Sequence, residues 1–219
     1  MKKYLAIISA LFMLAACDKS SDQPEFKTVG LIDEIKISDI ETVTSAITEV
    51  AFVARFHGFN DHAGVFTDAD GKDIRVMLKV PFDAKGTTLV LPKNPPQELL
   101  GNIALDFPKG FEISNPEAKT IAFVEIACNI SAQNRFSDFL YMVSDSENVC
   151  YEQTYIYCDR STTVTGTGED WWGNRTVYNL NLQKGWNMVV KKTEQRNNSV
   201  TNLMPSGMKW KQGRWIGGR

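Results

Sequence analysis

The second half of the chain alternates apolar and polar residues over short stretches. In residues 120–130 the apolar set on one predicted face is Ala122, Val124, Ile126, Cys128 and Ile130. A period of two is typical of a strand with one buried face. Further short strands are predicted at 139–143, 151–158, 162–167, 176–182, 186–192 and 208–210. Their regular spacing, with turn residues between them, favours an antiparallel sandwich or barrel.

The first half is less regular. Strands are predicted at 26–35 and 87–91, and a hairpin joins 65–66 to 74–80 with Asp70-Gly71 at its tip. Residues 40–56 fit both a helical stripe and a strand, and their β-branched residues favour a strand from about Ser45. One helical turn is predicted at 95–101.

These patterns predict an all-β fold, a two-part antiparallel β-sandwich with few short helices. The stretch 107–116 is rich in Pro and Gly and is the predicted junction. The N-terminal part therefore covers residues 26–115, and the C-terminal part covers residues 116–219.

The N-terminus has the pattern of an export signal. Lys2 and Lys3 precede an apolar run at residues 4–13, followed by Leu-Ala-Ala-Cys at 14–17. This order is typical of a secretory signal, and a run of about ten residues is shorter than the ~20 that span a membrane. Leu-Ala-Ala-Cys resembles the lipobox of bacterial lipoproteins. The resemblance implies removal of residues 1–16 and acylation of Cys17, with palmitate among the acyl chains, which anchors the protein to a membrane.

Residues 17–25 are the lipidated cysteine and a polar tether. The seven residues from Asp18 to Pro24 form the tether and reach about 25 Å at most when extended. The body is therefore expected to lie close to the bilayer. Asp18 resembles both the inner-membrane retention signal of enterobacterial lipoproteins and the surface-export signals of Bacteroidetes lipoproteins. The expected location is the outer membrane, with the body facing the periplasm or the cell surface.

The charge of the chain argues against nucleic acid as a partner. There are 24 basic and 26 acidic side chains. Removal of residues 1–16 takes away Lys2 and Lys3 and no acid, which leaves 22 basic side chains and a formal charge of −4. A nucleic-acid binder would show a basic face.

The cysteines after Cys17 are Cys128, Cys150 and Cys158. Cys150 and Cys158 lie at the two ends of one predicted strand, about 26 Å apart, which is beyond the reach of a disulfide. We expect buried free thiols that pack as small hydrophobes. A bridge from Cys128 to Cys150 or to Cys158 is the alternative.

Four short motifs in the second half carry a resemblance: Tyr-Ile-Tyr-Cys-Asp at 155–159, Tyr-Asn-Leu-Asn-Leu at 178–182, Lys-Gly-Trp-Asn at 184–187 and Pro-Ser-Gly-Met-Lys-Trp at 205–210. Over about residues 150–211, together with the signal, the chain resembles uncharacterised Bacteroidetes lipoproteins. The first half is similar to transthyretin-like sandwich modules, with a strand closing on Leu91-Pro92. These resemblances imply a class and a location, and no activity. Lys184, Trp186, Lys209 and Trp210 are interpreted as structural, and cation–π pairs between these lysines and tryptophans are the alternative.

Candidate catalytic and metal-binding residues are few. His57 and His62, with Asp61 between them, supply too few ligands for a metal centre. Asp-Ala-Asp-Gly at 68–71 begins like a calcium loop but lacks the periodic ligands and the closing Glu. No nucleophile elbow, P-loop or dinucleotide fingerprint is present. The sequence therefore predicts no catalytic residue, no metal and no cofactor.

A Gly-rich, acidic loop at 165–175 contains the adjacent Trp171 and Trp172. Neighbours on an extended chain point in opposite directions, so one indole is expected to cap the sandwich and the other to face solvent. An exposed indole beside Asp170 and Arg175 suits stacking on a sugar ring or docking of a protein. The predicted ligand site is therefore Trp171, Trp172, Asp170 and Arg175. The alternative is that both indoles pack on sheet edges.

The sequence favours a lipid-anchored, non-catalytic binding protein of the cell envelope, with a glycan or a protein as ligand. One alternative is an assembly subunit of a pilus or envelope complex, because fimbrial lipoproteins are similar in having a lipobox and β-sandwich domains. The other is a secreted hydrolase, which would need two facing carboxylates in a cleft or a metal held by His57, Asp61 and His62.

The lipid anchor gives the first prediction. Cys17→Ser removes the only sulfur at the lipobox, so we expect the variant to incorporate no radiolabelled palmitate and to leave the membrane fraction or stay unprocessed. Cys150→Ser is the matched control and should be labelled like the wild type. Equal labelling of wild type and Cys17→Ser would refute lipidation at this site.

Overall fold

The computed structural model describes residues 24–41, 43, 45–54, 75–107, 110–129, 138–146, 148–169 and 174–213. Over these residues the fold is all-β and sandwich-like, with sheets that do not close, as the alternating pattern predicts. The signal segment, Cys17, the tether and the Asp70-Gly71 hairpin tip lie outside the described residues.

In this part of the chain the strands are, in order, β1 (Phe26–Thr28), β2 (Glu34–Ile37), β3 (Glu49–Val53), β4 (Val76–Pro81), β5 (Thr87–Val90), β6 (Gly101–Asn102), β7 (Glu112–Ile113), β8 (Lys119–Cys128), β9 (Asp138–Asp145), β10 (Val149–Cys158), β11 (Thr162–Glu169), β12 (Arg175–Leu182), β13 (Gly185–Glu194), β14 (Asn197–Thr201), β15 (Leu203–Pro205) and β16 (Lys209–Gly213). A 3-10 turn at Gln97–Leu99 confirms the predicted helical turn. A one-turn helix, α1 (Ile103–Asp106), was not predicted. It is capped by the Asn102 side chain, which accepts a hydrogen bond from Ala104 N at 2.8 Å.

One large sheet runs through both halves of the chain. Its strand order is β4-β3-β8-β9-β10-β13-β14-β12-β11-β7, with β16 added beside β9 and β6 beside β8. The predicted boundary between the two parts, at residues 115 and 116, falls between β7 and β8, and β8 pairs with β3 from the first half and with β9 and β10 from the second. Two small antiparallel sheets, β1–β15 and β2–β5, complete the described fold.

The large sheet is antiparallel except at β12 and β14, which are parallel. The predicted antiparallel sandwich is otherwise confirmed, and this pair is the one parallel pairing among the described strands. The reason is that β14 folds back from β13 into the gap between β12 and β13, and two reversals make it run with β12. Beyond the end of β14, the Asn202 side chain links β12 directly to β13. Its Oδ1 accepts from Asn181 N at 2.7 Å, and its Nδ2 donates to Met188 O at 3.3 Å.

The first core lies between the large sheet and the β2–β5 sheet. Its members include Ile35, Ile37, Val50, Phe52, Leu89, Val124, Ile126 and Tyr155. Two buried indoles of the same core tie the sheets together. Trp186 Nε1 donates to Pro92 O at 2.8 Å, and Trp210 Nε1 donates to Lys36 O at 3.1 Å. The structural interpretation of both tryptophans agrees with this position.

The second core lies on the opposite face of β10 and β13. It joins α1 and the segment that follows it to the β11–β12 pair, and its members include Ile103, Phe107, Ala118, Ile156, Val164, Leu180, Leu182, Val189 and Val200. Alternation along β10 sends Ile156 to this core and the neighbouring tyrosines to the first core. The central strands are therefore buried on both faces.

A β-bulge in β8 changes the predicted buried face. Phe123 has a positive φ of 55°, and the register of β8 against β10 shifts by one residue at this point. The extra residue reverses the side-chain direction. Ile121 therefore enters the first core together with Val124, whereas Ala122 is only half-buried. The prediction for Ala122 is wrong, and Ile130 lies outside the described residues.

Two predicted strand boundaries also differ from the structure. The predicted strand at 26–35 is two strands, because the backbone between β1 and β2 bonds to other segments, as in Ile32 N to Trp186 O at 2.9 Å. The strand predicted from Ser45 begins at Glu49. Ser45 is held by side chains instead: its Oγ donates to Asp138 Oδ2 at 2.9 Å and accepts from Gln212 Nε2 at 2.8 Å.

β11 confirms the strand predicted at 162–167 and extends it to Glu169, so the interpretation of residues 168–169 as loop is wrong. Its glycines make room for an aromatic ring. A Cβ on Gly168 would lie 2.8 Å from Phe111 Cζ, and one on Gly166 would lie 3.2 Å from Phe111 Cδ1. The Phe111 ring also packs edge-on against Tyr178, with centroids 4.9 Å apart. These glycines therefore have a packing role.

No disulfide joins Cys128, Cys150 and Cys158, as the spacing argument expects. Cys128 lies in the first core and Cys158 in the second, while Cys150 is only half-buried. Burial raises the pKa of the Cys128 thiol to about 12, with the charge of Asp138 adding to the shift. Burial likewise raises the pKa of the Cys158 thiol to about 11. Both thiols are therefore neutral at physiological pH.

The glycine packing gives the second prediction. In Gly168→Ala the new methyl collides with the Phe111 ring, and we expect a loss of about 1–3 kcal/mol in the free energy of unfolding. Gly30→Ala is the matched control, because its Cβ meets nothing within 4 Å, and it should change stability by about 0.5 kcal/mol or less. Urea unfolding measures both. Equal stability of the two variants would contradict the packing role.

The buried thiols give the third prediction. A thiol whose pKa is raised by folding stabilises the native state below its unfolded pKa, near 9.0, and this contribution is lost as the pH rises through the folded pKa. We therefore expect thermal stability to fall between pH 8.5 and pH 11. The fall should be smaller in a Cys128→Ala, Cys158→Ala double variant than in the wild type. Identical slopes for wild type and double variant would contradict this linkage.

Candidate functional site

The structure places Arg175 of the predicted ligand site at the start of β12. Its backbone pairs with Glu169 of β11 and Asn197 of β14, and its N–H donates to Arg196 O at 3.0 Å. The Arg175 side chain is exposed and forms no ion pair with a described residue. Asp170, Trp171 and Trp172 lie outside the described residues, so the predicted tryptophan site stays a prediction. The same holds for His57, Asp61 and His62.

A different concave site lies at the other end of β12. Three segments line it: residues 31–33, the pair Leu91 and Lys93, and residues 184–186, with Tyr157 at its floor. We call it the Trp186 groove. Its cavity volume is about 260 Å³. Because β12 spans eight residues, this groove lies roughly 23 Å from Arg175 along the strand.

Backbone hydrogen bonds fix the walls of the Trp186 groove. The segment before β2 crosses the start of β13, where Ile32 N donates to Trp186 O at 2.9 Å and Met188 N donates to Gly30 O at 2.8 Å. The second wall is tied to the first, because Leu91 N donates to Asp33 O at 2.9 Å. Since these ties are made by the main chain, the groove is pre-formed, as small-ligand sites usually are.

The Lys184-Gly-Trp-Asn turn shapes the floor of the groove. Asn187 is fully buried: its Oδ1 accepts from Gln183 N at 2.9 Å, and its Nδ2 donates to Gln183 O and Gly185 O. Gly185 has a φ of +114°, and a Cβ there would lie only 3.0 Å from Leu31 Cδ1. A side chain at this position would be strained and would press on the groove wall.

Two aromatic residues, Tyr157 and Trp186, lie at the base of the groove and are only 7% and 3% exposed. Tyr157 and Trp186 are opposite one another on β10 and β13, with ring centroids 5.2 Å apart at 65°. Phe52 supports the indole from below at 4.8 Å. Burial raises the pKa of the Tyr157 hydroxyl, with Asp159 and Cys158 adding to the shift. The hydroxyl therefore stays protonated at neutral pH, and it makes no hydrogen bond with a described residue.

Three charged side chains stand at the rim. Asp33, Lys93 and Lys184 are exposed, and none of them forms an ion pair with a described residue. Some other lysines of the described sheets are paired, for example Lys209 with Glu41 at 2.8 Å and Lys192 with Glu194 at 2.7 Å. The rim therefore offers two donors and one acceptor to a ligand above an aromatic floor.

Sequence reasoning missed the groove because its parts are far apart in the chain. Lys184 and Trp186 belong to a motif that was interpreted as structural, and Trp186 is indeed only 3% exposed. The available signal was Gly185 between a lysine and a tryptophan, which marks a tight turn. Nothing local indicates that Asp33 and Lys93 join this turn.

In the ranges that the structure describes, no group of three or more His, Cys, Asp or Glu side chains is arranged to hold a metal ion. No helix there has the length and apolar character needed to cross a membrane. The chain matches no family model, no curated protein and no solved structure.

Proposed function

We propose that this chain is a lipid-anchored, non-catalytic binding protein of the cell envelope, which holds a glycan or a segment of another protein in the Trp186 groove. The observation that carries the proposal is the groove itself. It combines walls fixed by main-chain bonds, an aromatic floor and unpaired polar groups at the rim. Apolar pockets with a few convergent polar groups are the usual form of a ligand site.

The lipobox supports the membrane location. Cleavage before Cys17 and acylation of its sulfur would leave nine residues between the lipid and β1, which begins at Phe26. Nine residues reach about 30 Å when extended, so the body would work within that distance of the bilayer. The proposed location is the outer membrane, with the body facing the periplasm or the cell surface.

The tryptophan loop is a second proposed contact surface for the same function. Trp171, Trp172 and Asp170 precede Arg175 by three to five residues in the sequence, and the exposed Arg175 side chain lies at the opposite end of β12 from the groove. A long glycan or a protein could use both ends, whereas a small ligand could use only one. The two surfaces are therefore separable by mutation.

The fourth prediction tests the groove against the loop. Leu31 is 49% exposed and forms a lip of the groove. In Leu31→Asp, the loss of apolar contact should weaken ligand binding by about tenfold, with little loss of stability. Leu105→Asp is the matched control: Leu105 is 54% exposed, but it lies on α1, away from the groove. The full-length proteins, in mild detergent, are screened on glycan and peptide arrays and compared by thermal unfolding.

Trp171→Ala and Trp172→Ala complete the experiment. Loss of binding in Leu31→Asp alone supports the groove. Loss in a tryptophan variant that unfolds like the wild type assigns the ligand to the loop, and we favour Trp172 because Gly173 leaves room for close approach. A wild-type protein that binds nothing on either array would overturn the proposed binding function.

A further inference from the structure

We infer that the Trp186 groove takes a saccharide that carries a carboxylate. This inference rests on the proposed binding function and names the class of ligand. It follows from three features of the groove: the sign of its unpaired charges, the hydrogen-bonding groups beside them, and the size and character of the floor.

The rim carries more positive than negative charge. Lys93 and Lys184 come from separate segments, flank the same cavity and form no ion pair with a described residue, while Asp33 is the single carboxylate that lines it. The whole chain has a formal charge of −2, so this local excess of cations runs against the overall charge. Two ammonium groups above a low-dielectric floor attract an anion more strongly than a neutral molecule.

A carboxylate alone would leave part of the site unused. Asp33 can only accept hydrogen bonds when ionised, and the Tyr157 hydroxyl can both donate and accept. Sugar hydroxyl groups satisfy both side chains at once. Leaving these groups without partners under a bound ligand would cost affinity, so the ligand is expected to carry hydroxyls as well as a carboxylate.

The volume and the lining agree with the end of a saccharide chain. Tyr157 and Trp186 lie at the base of the groove but are only 7% and 3% exposed, so apolar contact with a sugar falls mainly to Leu31, which is 49% exposed. The volume of about 260 Å³ lies just below the range of ~300–1,000 Å³ usual for drug-sized ligands. The groove is therefore sized for the end of a saccharide chain rather than for a long stretch of it.

The fifth prediction compares an acidic sugar with its neutral counterpart. Full-length protein in mild detergent is titrated calorimetrically with digalacturonic acid and with the corresponding galactose disaccharide. We expect the acidic disaccharide to bind about tenfold more tightly, because one good charge-assisted hydrogen bond accounts for a factor of this size. Its affinity should also fall in 0.5 M NaCl, since an exposed ion pair is screened.

Lysine variants identify the source of the preference. In a Lys93→Gln, Lys184→Gln double variant, we expect the acidic disaccharide to lose about tenfold in affinity, while binding of the neutral one is unchanged. Lys85→Gln is the matched control, because Lys85 is an exposed lysine in the β4–β5 turn, outside the groove. It should bind both sugars like the wild type.

The outcomes separate this inference from the proposed function. Equal binding of both disaccharides, unaffected by the lysine changes, would overturn the inference and keep glycan binding. Binding of an acidic peptide but of neither sugar would overturn the inference and keep a protein ligand. Failure to bind any array member, acidic or neutral, would overturn both.

Discussion

The two indole N–H groups that cross from the large sheet to the β2–β5 sheet are the constraint on which the first core depends. Trp186 bonds to Pro92 O and Trp210 bonds to Lys36 O. Each bond contributes only about 1 kcal/mol, but its loss would leave a buried polar group unsatisfied at a cost of about 1–3 kcal/mol. The small sheet is therefore held at both ends. The Trp186 bond also sets one wall of the groove beside the indole.

Two of the sequence motifs, at residues 184–187 and 178–182, have structural roles in the described fold. In the Lys184-to-Asn187 motif, the asparagine ties the turn and the tryptophan joins the two sheets. In the 178–182 motif, Leu180 and Leu182 fill the second core. These residues hold the scaffold. Ligand choice depends instead on rim residues, and two of these, Asp33 and Lys93, come from the first half of the chain.

Most of the strands were predictable from the sequence, because apolar and polar residues alternate along a regularly paired strand that has one buried face. The strand predictions fail where the local structure depends on how one strand pairs with another. The bulge at Phe123 depends on the register of β8 against β10, and the parallel β12–β14 pair depends on where β14 inserts. The glycines at 166 and 168 looked like loop residues because Phe111, the ring that they accommodate, is more than fifty positions away. Local patterns carry no information about such partners.

The Trp186 groove could not be predicted from the sequence for the same reason. Its rim side chains can nevertheless be changed without disturbing the backbone that holds them. Residues 31–33, 91–93 and 184–186 meet only because main-chain hydrogen bonds join them. The side chains of Asp33, Lys93 and Lys184 take no part in those bonds, so changing them leaves the scaffold intact. By contrast, Asn187 and the Trp186 indole hold the fold, and their removal would confuse loss of binding with loss of structure. A rim of exposed, unpaired side chains on a rigid main-chain frame lets ligand preference change without a large cost in stability. This is the arrangement that the proposed binding function requires.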